Sequence, residues 1–301
     1  MLPWLINVLI GIKVGFCSCA PEIRRLGAAT ERPRQELRVR SQYRVERMGT
    51  KPTYRLPPVV NESSGLARRT ATSVWTLNDG GGRPTLYGVS LTDPGTLLDS
   101  IALPQLRNID WEDLAQQDSS NQSPARLFIA DLGNNSNIRQ DLVIHEVKER
   151  AVANSFQISY ADQNAFPPAR RNFDCEAVFY RTDSLFLLSK NRSGHLVRLY
   201  GLPASGGRHV LAPLDSVFIK SMVTGAALSP DRDGKPGKTL AVLTYGKVLF
   251  FDLSGPAGTR LNRFVGCLRL PRGQTEAITF LSDNELLITN ERGRMYRVVR
   301  R

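Results

Sequence analysis

Acidic side chains recur at matching places along this 301-residue chain. Glu62, Asp110, Glu112, Asp113, Asp174, Glu176 and Glu276 open short segments that soon turn apolar. Asp79, Asp131, Lys190, Asn290 and Glu291 close the strongly apolar segments that follow. The balance of 40 Lys+Arg over 28 Asp+Glu, 40 − 28 = +12, makes such gathering run against the composition. Carboxylates crowded in a low-dielectric place repel, and must be neutralised by protons, by Arg or Lys, or by a cation. Hard oxygen donors suit Ca²⁺ first and Mg²⁺ second. Three histidines (His145, His195, His209) and no Cys-x-x-Cys pair make zinc a poor fit. The candidate metal ligands are therefore Asp110, Glu112, Asp131, Asp174, Glu176 and Glu276. If the chain is a catalyst, Glu112 and Glu176 are the candidates to activate water.

The candidate ligand-binding residues are Asp79, Asn134, Asn135, Arg139 and Lys190. Asp131-Leu-Gly-Asn-Asn135 offers carboxylate and amide oxygens around a turn, and Arg139 could hold a phosphate or carboxylate through two hydrogen bonds. The same segment also reads as a β-turn whose Asx side chains cap their own backbone. Lys190 among carboxylates reads equally as a structural counter-charge, and Trp75 and Trp111 read as packing wedges. There is no Gly-x-Ser-x-Gly elbow, no phosphate-cradling Gly-x-x-x-x-Gly-Lys loop and no Gly-x-Gly-x-x-Gly after a strand. No nucleophile stands beside the three histidines in sequence, which argues against a Ser-His-Asp triad.

These residues sit in a repeat. Five segments share one order: a polar-then-apolar strand, a turn, an apolar strand with a polar end, a glycine-containing turn and an alternating third strand. Measured at Ser64, Glu112, Glu176, Thr224 and Glu276, the spacings are 48, 64, 48 and 52 residues. Units of this length built from three or four short strands predict an all-β fold, a β-propeller. Direct counting gives five blades; six are possible if the long second unit hides extra strands. The last unit is one strand short. Its closing strand is expected from the N-terminal side, from Tyr43–Arg47 or from near Tyr54. Cys175 on an inner strand and Cys267 on an outer one should be free buried thiols.

The strands of the form (Asp/Glu)-x-Glu-(Ala/Asp)-hydrophobic, followed by Leu77-Asn-Asp-Gly-Gly81 and Ile129-Ala-Asp-Leu-Gly-Asn-Asn135, resemble secreted bacterial β-propellers related to phytase-like esterases and to gluconolactonase-type propellers. The resemblance covers roughly residues 55 to 301. It implies an exported protein with a central metal, usually calcium, and in some members phosphomonoesterase or lactonase chemistry. The matching positions are Asp110, Glu112, Asp131, Asn134, Glu176 and Glu276. The fourth unit departs from the pattern, with Thr224-Gly-Ala and no carboxylate.

Leu2–Ile12 is an apolar run of signal-peptide length, too short to span a bilayer. Phe16-Cys-Ser-Cys19 resembles a loose bacterial lipobox, with Cys19 as the lipidated residue. Residues 1–20 are therefore expected to direct export to the periplasm or cell envelope, with a lipid anchor at a membrane surface. Residues 21–53 read as a polar tether and 54–301 as the propeller. Positive charge is mostly arginine, 32 Arg to 8 Lys. No nucleic-acid motif accompanies it, so no nucleic-acid partner is expected. Two functions fit: a monomeric module binding a ligand or an envelope protein around a structural Ca²⁺, or a metal-dependent hydrolase using the same carboxylates.

Overall fold

A computed structural model describes residues 43–47, 55–118, 126–255, 260–271 and 273–300. All of its regular structure is β. In chain order, β1 (Tyr43–Arg47) precedes a first sheet of β2 (Ser63–Thr70), β3 (Ser73–Asn78), β4 (Thr85–Ser90) and β5 (Leu97–Ala102). The second sheet begins with β6 (Trp111–Gln117), β7 (Arg126–Asp131), β8 (Val143–Lys148) and β9 (Ala151–Tyr160). The third holds β10 (Cys175–Arg181), β11 (Ser184–Ser189) and β12 (Leu196–Pro203). From there the chain makes an excursion, β13 (Gly207–Leu211), before β14 (Asp215–Phe218) completes that sheet. The fourth is β15 (Val223–Leu228), β16 (Thr239–Thr244), β17 (Lys247–Asp252) and β18 (Phe264–Arg269). The fifth is β19 (Thr275–Ser282), β20 (Glu285–Asn290) and β21 (Met295–Arg300), closed by β1.

Five small sheets thus form a five-bladed β-propeller, and the six-blade count is excluded. The extra length of the second unit lies in the connections before β8 and before β10. The fifth strand of that blade, β13, is lent by the third unit and pairs in parallel with β9, Gly207 opposite Phe156. Closure comes from the first of the two expected places: β1 runs antiparallel to β21, Tyr43 opposite Arg300. This strand lies within the stretch read as a tether. Tyr43 stacks on Phe250 of the neighbouring blade with ring centroids 4.5 Å apart. Residues 1–20, including Cys19, lie outside the described residues.

The core is not one mass but five wedges, one between each pair of adjacent blades. Between the first and second blades, Trp75, Leu77 and Leu86 meet Trp111, Leu114 and Ile129, so both tryptophans pack as wedges. Between the fifth and first, Ala277, Leu287 and Met295 meet Leu66, Val74 and Val89. Each second strand is covered on both faces; Val74, Leu77, Ile129, Leu187, Leu188, Val242 and Ile288 are fully buried. Such a strand is apolar at nearly every position, the pattern of a doubly covered sheet. Outer strands such as β5 keep exposed positions. Cys175 and Cys267 are both buried.

The inner strands β2, β6, β10, β15 and β19 contact one another in a closed ring. Every one of them carries a bulge at its first turn of pairing. The register skips between Ser63 and Gly65, Trp111 and Asp113, Cys175 and Ala177, Val223 and Gly225, and Thr275 and Ala277. The skipped residues are Ser64, Glu112, Glu176, Thr224 and Glu276. A bulge leaves one residue without a partner and re-aims its side chain. Here all five are turned toward the axis of the ring.

Candidate functional site

The five bulge residues line a polar cavity of about 210 Å³ at one end of the hub, together with Asp79, Asn135, Lys190, Arg192, Tyr245 and Glu291. Three of the five are glutamates; Ser64 and Thr224 contribute hydroxyls that are already engaged, donating to Trp111 O at 2.8 Å and to Thr275 O at 2.7 Å. Below the cavity the position after each bulge is small (Gly65, Ala177, Gly225, Ala277), because the strands converge there. A Cβ on Gly65 would lie 2.6 Å from Leu114 N. The exception is Asp113, which is fully buried and plugs the hub. Its carboxylate accepts from Leu114 N and Val178 N at 2.8 Å and from Ala226 N at 3.4 Å, tying the second, third and fourth blades together. Burial pushes its carboxyl up to about 8, against the pull of those amides.

Two carboxylate triads share Glu112. Asp79, Asp110 and Glu112 bring one oxygen each within 4.8 Å of one another, and so do Glu112, Asp174 and Glu176. Their surroundings differ. In the second triad, Lys190 Nζ pairs with Glu176 Oε1, Arg192 Nε pairs with Asp174 Oδ2, and Arg192 Nη2 lies 3.2 Å from Glu176 Oε1. Asn134 N donates to Asp174 Oδ1 at 2.7 Å, and Arg192 also reaches Asn135 Oδ1. This half is neutralised from within. Burial lowers the Lys190 ammonium, but Glu176, Tyr245 and Glu276 outweigh it and hold Lys190 above its ordinary range. Lys190 also faces the ring of Tyr245 at 5.5 Å.

The first triad has no ion pair among the described residues; Lys190 and Arg139 act on it only from a distance. Asp79 accepts from Gly80 N at 2.6 Å; the carboxylates of Asp110 and Glu112 find no hydrogen bond or ion pair among the described residues. Glu112 is only 7% exposed and faces the cavity. Burial, then Asp79 and Asp174, push Asp110 up to about 6; burial and Glu176 push Glu112 well above the carboxylate range. The two side chains meet over Gly133, where a Cβ would overlap Asp110 Oδ2 and Glu112 Oε1, and Asp110 Oδ1 lies against Gly80. Glycines at both places keep a cradle open for converging oxygens. The donor set is all oxygen, as a hard divalent cation requires, so the residues present fit calcium.

Glu276 lies across the cavity, beside Tyr245 and Glu291, and burial raises it well above its ordinary value; it belongs to neither triad. Asp131, expected among the metal ligands, is instead occupied. Its carboxylate accepts from Asp110 N at 3.1 Å and Ile109 N at 3.4 Å and pairs with Arg139 Nη2 at 3.0 Å. It fixes the loop that carries Asp110. Arg139 is spent on Asp131, on Asp141 and on Gly133 O, and does not line the cavity. Asn134 accepts from Arg139 N at 3.0 Å and donates to Phe173 O at 3.3 Å, so it organises its turn; its neighbour Asn135 lines the cavity. His145 meets Ser155 Oγ at 2.9 Å away from the cavity.

Sequence reasoning passed over Arg192, Gly133 and Tyr245. Arg192 occupies no repeating position, so no signal marked it; Gly133 was visible only as a turn residue.

No protein-family model matches the chain, and no curated protein matches it. Among solved structures, the chain is similar to a virginiamycin B lyase from Staphylococcus aureus at 12% identity and a TM-score of 0.40, over 79% of this chain and 66% of that one. A streptogramin B lyase is similar at 10% identity and a TM-score of 0.41, over 85% and 97%. The PQQ-bound aldose sugar dehydrogenase from Streptomyces coelicolor is similar at 10% identity and a TM-score of 0.48, over 85% and 98%. The chain spans slightly less than two thirds of the Staphylococcus lyase. The protein is a β-propeller with distant structural likeness to these and with no family assigned by them.

Proposed function

We propose that this protein is a non-catalytic binding module, an exported and envelope-associated monomeric propeller whose hub holds a divalent cation and presents it to a ligand or protein partner. The cation is Ca²⁺ first and Mg²⁺ second. One observation carries the reading: Glu112, buried and with no hydrogen bond or ion pair among the described residues, faces the cavity and brings an oxygen within 4.8 Å of those of Asp79 and Asp110, whereas Asp174 and Glu176 already have Lys190 and Arg192. On the same reading residues 1–20 direct export and Cys19 carries a lipid.

The alternative is a metal-dependent phosphoesterase, esterase or lactonase with Glu112 or Glu176 as base. It draws support from Glu176, pushed by burial up to about 7, a value suited to general-base work. Against it, Lys190 and Arg192 both hold Glu176 Oε1, and the hydroxyls of Ser64 and Thr224 are occupied by backbone carbonyls.

Melting curves separate these. Asp110 and Glu176 have folded-state values near 6 and 7, above the roughly 4 of an unfolded carboxyl. The folded protein therefore binds more protons, and stability falls as pH rises from about 4 through about 7. In EDTA the melting temperature should drop between about pH 5 and pH 8. Ca²⁺ at about 100 times its dissociation constant contributes roughly 2.7 kcal/mol, which should raise melting at pH 8 by roughly 5–10 °C and flatten the pH trend. Chromogenic phosphate, carboxylic ester and lactone substrates should remain uncleaved. Turnover abolished by Glu112→Gln would replace the binding module with the hydrolase.

A further inference from the structure

The loops around the cavity mouth carry a group of exposed arginines. Arg83 lies between β3 and β4, Arg107 between β5 and β6, Arg170 and Arg171 between β9 and β10, and Arg292 and Arg294 between β20 and β21. All six are exposed, and none has an ion pair among the described residues. Several arginines away from the mouth are paired, Arg150 with Asp99 at 2.8 Å, Arg263 with Asp252 at 3.0 Å, Arg232 with Asp283 and Arg297 with Glu285. The mouth loops adjoin one another, Gly81 N donating to Asn108 O at 3.2 Å. The six guanidinium groups therefore follow an arc over the fifth and first blades to the junction of the second and third.

An arc of this length would not be needed to hold a single small anion, and the carboxylates of the hub would repel one entering the cavity. An arc of unpaired guanidinium groups on successive loops suits a chain that repeats its anionic groups along its length, since each guanidinium takes a carboxylate, sulfate or phosphate through two parallel hydrogen bonds. Nucleic acid fits less well. Single-strand binding uses aromatic platforms for bases, and Phe166 is the exposed Phe, Tyr or Trp among the described residues.

We propose that the mouth face is a docking surface for an extended anionic polysaccharide, a polyuronate being the simplest chemistry, bound along the Arg83–Arg107–Arg170/Arg171–Arg292/Arg294 arc. The surface works independently of the hub cation.

The test is affinity electrophoresis of the full chain through gels containing polygalacturonate, run in EDTA so that calcium neither fills the hub nor cross-links the polymer. Retardation is expected, with apparent affinity falling about a hundredfold between low and moderate salt as counterions are displaced. The combined variant Arg83→Glu, Arg107→Glu, Arg170→Glu and Arg171→Glu should bind at least about tenfold more weakly while melting like the wild type, because exposed substitutions change stability little. Lys235→Glu with Lys238→Glu, on the opposite face, should bind as the wild type does. Absence of retardation overturns the proposal, as does equal loss in the Lys235/Lys238 variant. Equal or tighter binding to duplex DNA or to phosphatidylglycerol vesicles overturns it in favour of that partner.

Discussion

A Gly133→Ala variant should be less stable than the wild type and should lose its response to calcium. Gly133 does not adopt a left-handed conformation, being absent from the glycines of positive φ. At such a site the change would ordinarily stabilise by about 0.4–1 kcal/mol through the unfolded chain. Here the new methyl group would overlap Asp110 Oδ2 and Glu112 Oε1. Asp110 is backed by Gly80, and Glu112 can give way only by swinging into the cavity, away from the point where the carboxylate oxygens converge. Overpacking of this kind costs roughly 1–3 kcal/mol, so the sign should reverse. Differential scanning calorimetry in EDTA reads the steric part, and the same scan with calcium reads the lost site. A variant that is more stable than the wild type, or that keeps the full calcium shift, would show that the cradle does not converge over Gly133.

The second large effect is expected at Lys190. Its side chain is 6% exposed and its partner Glu176 is 4% exposed. Lys190→Met leaves Glu176 buried beside Glu112 and Asp174, with Arg192 alone to serve two carboxylates. Breaking a buried pair by removing one partner costs about 3–5 kcal/mol, a fall in melting temperature on the order of 10 °C for a domain of this size. Adding Glu176→Gln should restore most of the loss, because the charge that Lys190 balances is then gone. Chemical denaturation of the two single variants and the double variant gives the coupling directly. A Lys190→Met protein as stable as the wild type would mean that the second triad is not neutralised from within.

The propeller was legible in the sequence because its two strongest signals are local. The second strands, such as Leu127–Asp131 and Leu240–Thr244, are apolar throughout, and the inner strands repeat at Ser64, Glu112, Glu176, Thr224 and Glu276. Those five markers prove to be the bulge residues, so the repeat tracked the hub itself. The closing strand Tyr43–Arg47 was recognisable from the deficit in the last unit. The parallel pairing of β13 with β9 was not, since it depends on a long excursion that returns to a different blade.

Within the site, the sequence could group carboxylates by position in the repeat but could not decide their orientation. Asp131 and Asp79 occupy similar places at the ends of second strands. Asp79 turns to the cavity, whereas Asp131 turns back to the Asp110 loop and takes Arg139 with it. That choice is made by partners far away in sequence, and one residue of register separates the two faces of a strand. Asn134 and Asn135 divide in the same way, one organising the turn and the other meeting Arg192. Asp113 lies one position past the bulge, which makes it the plug of the hub and not part of the cavity wall.

The most direct test of the account is equilibrium dialysis with radiocalcium on the wild type and on Asp110→Asn and Glu112→Gln. The account predicts one calcium per chain for the wild type, with binding lost in both variants although each remains folded by circular dichroism. Wild-type protein that takes up no calcium, or variants that bind it as the wild type does, would contradict the claim that the Asp79, Asp110 and Glu112 carboxylates converge on a cation.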